Sequence, residues 1–165
     1  MGTMATKGTA KVTLPTDEQI LITREFDAPK HLVYKAWTTP ELIKRWWSGR
    51  RGTVTIAEVD LRVGGTWRYV MVANEGFEVA FHGEFREVVA PERLVNTEAF
   101  EGAPDPDGTA GLVTVTLTEK DGRTYLEALC EYHDKAVRDI VIDSGMESGM
   151  QESYDALEKV AVSLS

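Results

Sequence analysis

Six β-rich segments joined by short turns run from Thr53 to Tyr132, and one long amphipathic run, Lys135 to Ser163, is all that follows them. That order constrains the fold more than any other feature. Short turns force neighbouring strands to pair antiparallel. A sheet built this way has an apolar face to cover, and the closing run is the late element able to cover it. Within that run Val137, Val141, Met146, Met150, Tyr154, Leu157, Ala161 and Leu164 recur mostly at steps of three and four, which places them on one face of a helix. Lys135, Asp139, Asp143, Glu147, Glu152, Asp155 and Lys159 fall on the other. Asp134 stands where an N-cap is needed. Gly145 and Gly149 interrupt the pattern, each costing about 1 kcal/mol against Ala if helical. They leave room for a close sheet contact or for a bound molecule.

The strands are expected at 53–61, 66–73, 77–89, 93–100, 112–119 and 123–132, preceded by one over 20–27. The turns between them carry Gly64-Gly65, Asn74-Glu75-Gly76, Ala90-Pro91-Glu92 and Asp121-Gly122, residues that supply or tolerate reversal geometry. The exception is Glu101–Gly111, a longer Gly- and Pro-containing loop. Between the first strand and the rest, Lys30–Trp37 reads as a short helix. Thr39-Pro40 then caps and starts a second one through Trp47. Trp37, Trp46 and Trp47 form a dense apolar load for so short a segment. Residues 1–17 show no periodicity and are expected to be a flexible tail, with 18–165 forming a single domain. The predicted fold class is therefore α+β: a curved antiparallel sheet wrapped around a long C-terminal helix, in the order β-α-α-β6-α.

Charge narrows the partners. A net charge of -9 argues against nucleic acid, which needs clustered Lys and Arg, and against an anionic membrane surface. No apolar run approaches the ~20 residues of a membrane span. The single Cys130 cannot form an internal disulfide, so a reducing, cytoplasmic setting is expected. Cys130 and His133 lack the further ligands that a zinc site requires, and on a strand they point to opposite faces. Asp105-Pro106-Asp107-Gly108 is read as a turn, since Thr116 stands where a calcium loop needs Glu. Gly64-Gly65 joins two strands and lacks the Lys and helix of a phosphate loop. Neither Gly-x-Ser-x-Gly nor His-Glu-x-x-His occurs. His82 alternates onto a polar strand face and is expected to be solvated.

Several segments, in order, resemble a known family. They are Phe26-Asp27-Ala28-Pro29 with Val33-Tyr34-Lys35-Ala36-Trp37, then Pro40-Glu41 leading to Trp46-Trp47. Val59 to Trp67 follows, with its Gly64-Gly65, then Gly83-Glu84-Phe85 and Pro91-Glu92-Arg93-Leu94. The last is Ser144-Gly145-Met146-Glu147-Ser148-Gly149-Met150. Together they are similar to START-like (SRPBCC) proteins of helix-grip fold, in the branch related to the C-terminal domain of the activator of Hsp90 ATPase. One departure stands out: the family commonly has Gly-Trp where Gly149-Met150 stands here.

The resemblance implies a ligand cavity between sheet and helix. Its expected lining is Trp46, Trp67, Tyr69, Phe81, Phe85, Met146, Met150 and Tyr154, with Phe100 at one end. A small hydrophobic or amphipathic molecule is the expected ligand, with no cofactor and no metal. A chaperone-binding module is one alternative. An enzyme of the cyclase or hydrolase kind in the same cavity is another, with Glu98 as the candidate acid or base. Strand 93–100 leaves open which way Glu98 points, because Leu94, Asn96, Glu98 and Phe100 alternate with Val95, Thr97 and Ala99.

Overall fold

All seven expected strands form. The computed structural model describes residues 9–165. In chain order its elements are β1 (Lys11–Thr13), β2 (Gln19–Phe26), α1 (Lys30–Thr38), α2 (Pro40–Trp46), β3 (Gly52–Val59), β4 (Thr66–Ala73), β5 (Glu78–Val89), β6 (Arg93–Phe100), β7 (Gly111–Lys120), β8 (Arg123–Glu131), α3 (Lys135–Asp143) and α4 (Met146–Ser163). The strands make one antiparallel sheet in the order β1-β2-β8-β7-β6-β5-β4-β3. The chain thus enters near one edge of the sheet, crosses by α1 and α2 to the far edge, and meanders back.

Alternation decides what faces α4. Ile20, Ile22, Arg24 and Phe26 of β2 are buried, as are Leu126, Ala128 and Cys130 of β8. Against them α4 lays Tyr154, Leu157, Val160 and Ala161 at the three- and four-residue spacing of one helical face. Val33 of α1 and Ile43 of α2 close the core, both fully buried. The turn chemistry is as expected: Asp121 and Gly122 both take positive φ, the geometry of a tight two-residue hairpin. Asp134 caps α3 by accepting from the Val137 N–H at 2.9 Å. Thr39 holds the N-cap position before Pro40, although its side chain makes no capping bond.

Three expectations need correction. Of the supposed tail, residues 1–8 lie outside the described residues, but Lys11–Thr13 pairs with Leu21–Thr23 as an edge strand. Ala10 is buried, bonded through its backbone to Gln151. The closing run is two helices, not one. Gly145 takes φ +83, the left-handed conformation that glycine adopts without penalty, and α4 starts afresh after it. Asp155, assigned to the solvent face, instead turns onto Arg24 of β2 at 2.7 Å. Glu158 joins it at 3.2 Å and also accepts from the Asp27 N–H. The Arg24 guanidinium lies 5.0 Å from the Phe26 ring centre. This buried cluster fixes the position of α4 over the sheet.

Candidate functional site

The other end of the concave face is built differently. Between the Phe81–Phe100 and Phe85–Asn96 pairs the β5–β6 ladder is interrupted. There Glu84 N–H donates to the Thr97 hydroxyl at 2.9 Å, and the Trp67 indole N–H donates to the Thr97 carbonyl at 3.2 Å. Gly83 permits this, since a Cβ added to it would stand 2.6 Å from that indole nitrogen. The register shift that bends this strand pair lies further along, between Phe85 and Glu87. Glu98 sits beside the unpaired stretch. Its neighbour on β7 is Gly111, where an added Cβ would lie 2.8 Å from the Tyr132 ring. Glycine therefore stands on both sides of Glu98, and an aromatic ring leans over each.

Glu98 faces inward. It is half-buried, and its desolvation pushes its carboxyl up to about 7 from an ordinary 4.5. A charged carboxylate in such surroundings loses hydration that nothing here replaces. Its charge in turn helps raise the hydroxyls of Tyr69, Tyr132 and Tyr154, and the thiol of Cys130, which burial chiefly pushes up to about 12. Tyr132 is hydrogen-bonded to Cys130. Residues from β4, β6, β8 and α4 thus converge on one interior locus.

The hydrogen-bond account of this locus is informative. Among the described residues, the only fully enclosed side-chain oxygen or nitrogen without a partner is the Tyr34 hydroxyl. Glu98, Tyr69 and Tyr154 also have no hydrogen-bond partner, so their oxygens border accessible space. Buried polar groups left like this ordinarily find water or a ligand.

The apolar wall is continuous with it. Trp67 and Tyr69 have ring centres 4.7 Å apart, and Phe81 and Phe100 stand at 5.2 Å. Phe100 is 44% exposed, and a Cβ added to Gly102 would meet its ring at 2.5 Å, so it rests on the start of the loop. Met146 and Met150 pack against the core while staying partly accessible. Four of the expected lining residues, Trp46, Trp67, Phe85 and Tyr154, are buried in the packed core. Trp46 donates its indole N–H to the Ala36 carbonyl at 2.8 Å and touches Trp37, and Phe85 is 5% exposed. Trp47, which sequence reasoning did not single out for the lining, stands edge-on to Tyr69 and Phe81 at 5.4 and 5.6 Å. The density of tryptophan around it was the available signal.

Away from this locus, His82 is not solvated as expected. Its Nδ1 is 2.9 Å from Glu101 and its Nε2 2.8 Å from Asp107. Hydrogen bonds to Asp107 and then Glu101 hold its pKa above the ordinary imidazole value. Arg68 forks onto Glu101 with two bonds of 2.9 Å, which, with His82, holds that carboxyl down to about 2. These contacts tie the 101–110 loop to the outer sheet face. Gly149 does not meet the sheet: an added Cβ would find the Arg51 guanidinium at 3.7 Å, and Arg51 bonds Ser148. Two surface depressions are evident, one of about 250 Å³ beside Asp60 and Arg68, one of about 360 Å³ between Pro15, Leu21 and Leu129. Neither reaches Tyr69, Met146 or Met150. No group of three or more His, Cys, Asp or Glu suited to a metal occurs among the described residues. No helix among them is long and apolar enough to cross a membrane.

A curved antiparallel sheet closed on a C-terminal helix defines a protein of the START-like, helix-grip class. Solved structures agree. A protein from Rhodobacter sphaeroides superposes with a TM-score of 0.85 at 25% identity, over 93% of this chain and 99% of that one. One from Arthrobacter aurescens gives 0.82 at 25%, over 93% and 91%. One from Chromobacterium violaceum gives 0.73 at 26%, over 86% and 96%. Residues 27–161 match the family described as Activator of Hsp90 ATPase homolog 1-like protein, and the chain belongs to that family. A comparison with curated proteins finds no match.

Proposed function

We propose that the protein binds a small amphipathic molecule between the sheet and α4, with the polar part of that molecule against Glu98. The observation that supports this is the set of inward oxygens on Glu98, Tyr69 and Tyr154 that border space without a protein partner. Apolar walls with a few convergent polar groups are what small-molecule sites require. Met150 lies one helical turn before Tyr154 on α4, packed against the core and partly accessible, and an indole in its place is expected to fill the proposed site.

Isothermal titration with 1-octanol tests the reading. A saturable, one-to-one heat in the wild type that disappears in Met150→Trp is the expected result. Absence of any saturable heat from the wild type would defeat it.

An acid–base reaction at the same locus is the second reading, favoured by one observation: a carboxyl that titrates near 7 can both give and take a proton at neutral pH. Turnover of a bound ester that disappears in Glu98→Gln would establish it. The chaperone-binding alternative draws on the family description alone, and capture of the chaperone from solution by this chain is the experiment that decides it.

A further inference from the structure

We infer that the molecule held between sheet and α4 is an organic amine, its ammonium group seated on Glu98 among aromatic faces and its apolar part running toward Met150. This rests on the ligand-binding reading above and names the class of ligand.

Two independent features carry it. The first is an inward carboxylate without a counter-charge. Arg24, also on the concave face, is engaged by Asp155 and Glu158. The ionisable groups that perturb or are perturbed at Glu98 are Tyr69 from β4, Cys130 from β8, Tyr132 just after it, and Tyr154 from α4. None is a cation, and burial chiefly raises all of them, so all are neutral through neutral pH. A buried charge is tolerable when paired and costly when not. The second feature is the aromatic wall. Trp67 leans across Gly83 on one side of Glu98 and Tyr132 across Gly111 on the other. Tyr69 and Trp47 extend the wall through contacts of 4.7 and 5.4 Å. Ring faces attract ammonium groups most strongly where water is excluded. The chain's net charge of -9 adds a field that draws cations and turns anions away.

A neutral ligand offering only an acceptor could also use Glu98, but in its protonated form. The two ligand types therefore carry opposite pH signatures. An ammonium needs the carboxylate, so its affinity rises with pH up to about 7 and then levels. An acceptor needs the acid, so its affinity falls over the same range.

The experiment is titration calorimetry of the whole chain with n-octylamine, 1-octanol and octanoate, at pH 8 and at pH 5.5. At pH 8 octylamine is expected to bind at least ~10-fold tighter than octanol, with octanoate weakest. In Glu98→Gln the amine falls to the level of the alcohol while the alcohol is unchanged. Lowering the wild type to pH 5.5 weakens the amine by roughly tenfold per unit below 7. Octanol equal to or tighter than octylamine at pH 8, or an amine affinity that climbs on acidification, overturns the inference and leaves the ligand-binding reading standing. If none of the three binds, the underlying reading itself fails.

Discussion

Arg24 and Glu98 both lie on the concave face, and the protein treats them differently. Arg24, on β2, meets two carboxylates from α4 and stacks near Phe26. Glu98, on β6, meets no hydrogen-bonding or ionic partner among the described residues. The first arrangement is complete without anything further, as structural ion clusters are when every charge is answered. The second is incomplete, and an unanswered inward carboxyl among aromatic rings is what the proposed ligand site rests on. The same helix faces both: its 155–158 turn is anchored on Arg24, while Met146 and Met150 at its start pack against the core and stay partly accessible.

Removing Arg24 should show the largest effect. Arg24→Met leaves Asp155 and Glu158, each less than a fifth exposed, facing each other across an apolar side chain. A loss of about 4 kcal/mol is expected, read as a fall in the urea midpoint. A loss below about 1 kcal/mol would mean that the cluster is solvated and that the contrast with Glu98 is one of degree.

Glu98→Gln should act in the opposite direction, and only at the right pH. In the folded protein the carboxyl titrates near 7 against an ordinary 4.5, so the folded state binds the proton more tightly than the unfolded chain. Stability then declines as pH climbs from below 4.5 to about 7, and levels above it. Compared with wild type, Glu98→Gln is expected to be equally stable at pH 4 and more stable at pH 8 by up to about 3 kcal/mol. Taking the difference between the two proteins cancels the contributions of His82 and Glu101. A difference that does not change with pH would show that Glu98 is hydrated, and the contrast would then collapse from the other side.

These two residues also mark where the sequence was legible. Strand alternation, the Asp121-Gly122 hairpin and the Asp134 cap follow from local chemistry and were readable in advance. The lining aromatics Trp67, Tyr69 and Phe81 share one face for the same reason. The direction of β6 was not readable, because apolar residues occupy both of its faces. Leu94 is buried toward the helix, while Val95 and Ala99 are buried as well, on the opposite side from it. Ala99 pairs with His82, which holds the loop down over that outer surface. Two buried faces cancel the period-two signal. Trp46 and Trp47 were distinguishable only by the end of α2, a boundary that sequence patterns place poorly. The break at Gly145 was masked because Met146, beyond it, continues the apolar face of the run before it. Asp155 reads as an ordinary surface charge because the Arg24 it answers lies far away along the chain, in β2.

The smallest expected effects concern the two glycines at the start of α4, and they should differ in sign. Gly145 begins α4 from φ +83, where any other L residue is strained, although nothing lies within 4 Å of an added Cβ. Gly145→Ala should therefore cost about 1 kcal/mol through backbone conformation alone. Gly149 lies inside α4 with ordinary helical geometry, and its added Cβ would rest against Arg51 at 3.7 Å. Gly149→Ala should gain roughly 0.5–1 kcal/mol, because alanine has less freedom to lose on folding and the site has room for a methyl group. Thermal unfolding of the pair measures both. If Gly149→Ala also destabilises, or if it weakens octanol binding, then the glycine keeps space open for the ligand, and the open end of α4 is shaped by backbone as well as by side chains. If it stabilises without touching binding, that space is set by Met146, Met150 and the glycines flanking Glu98.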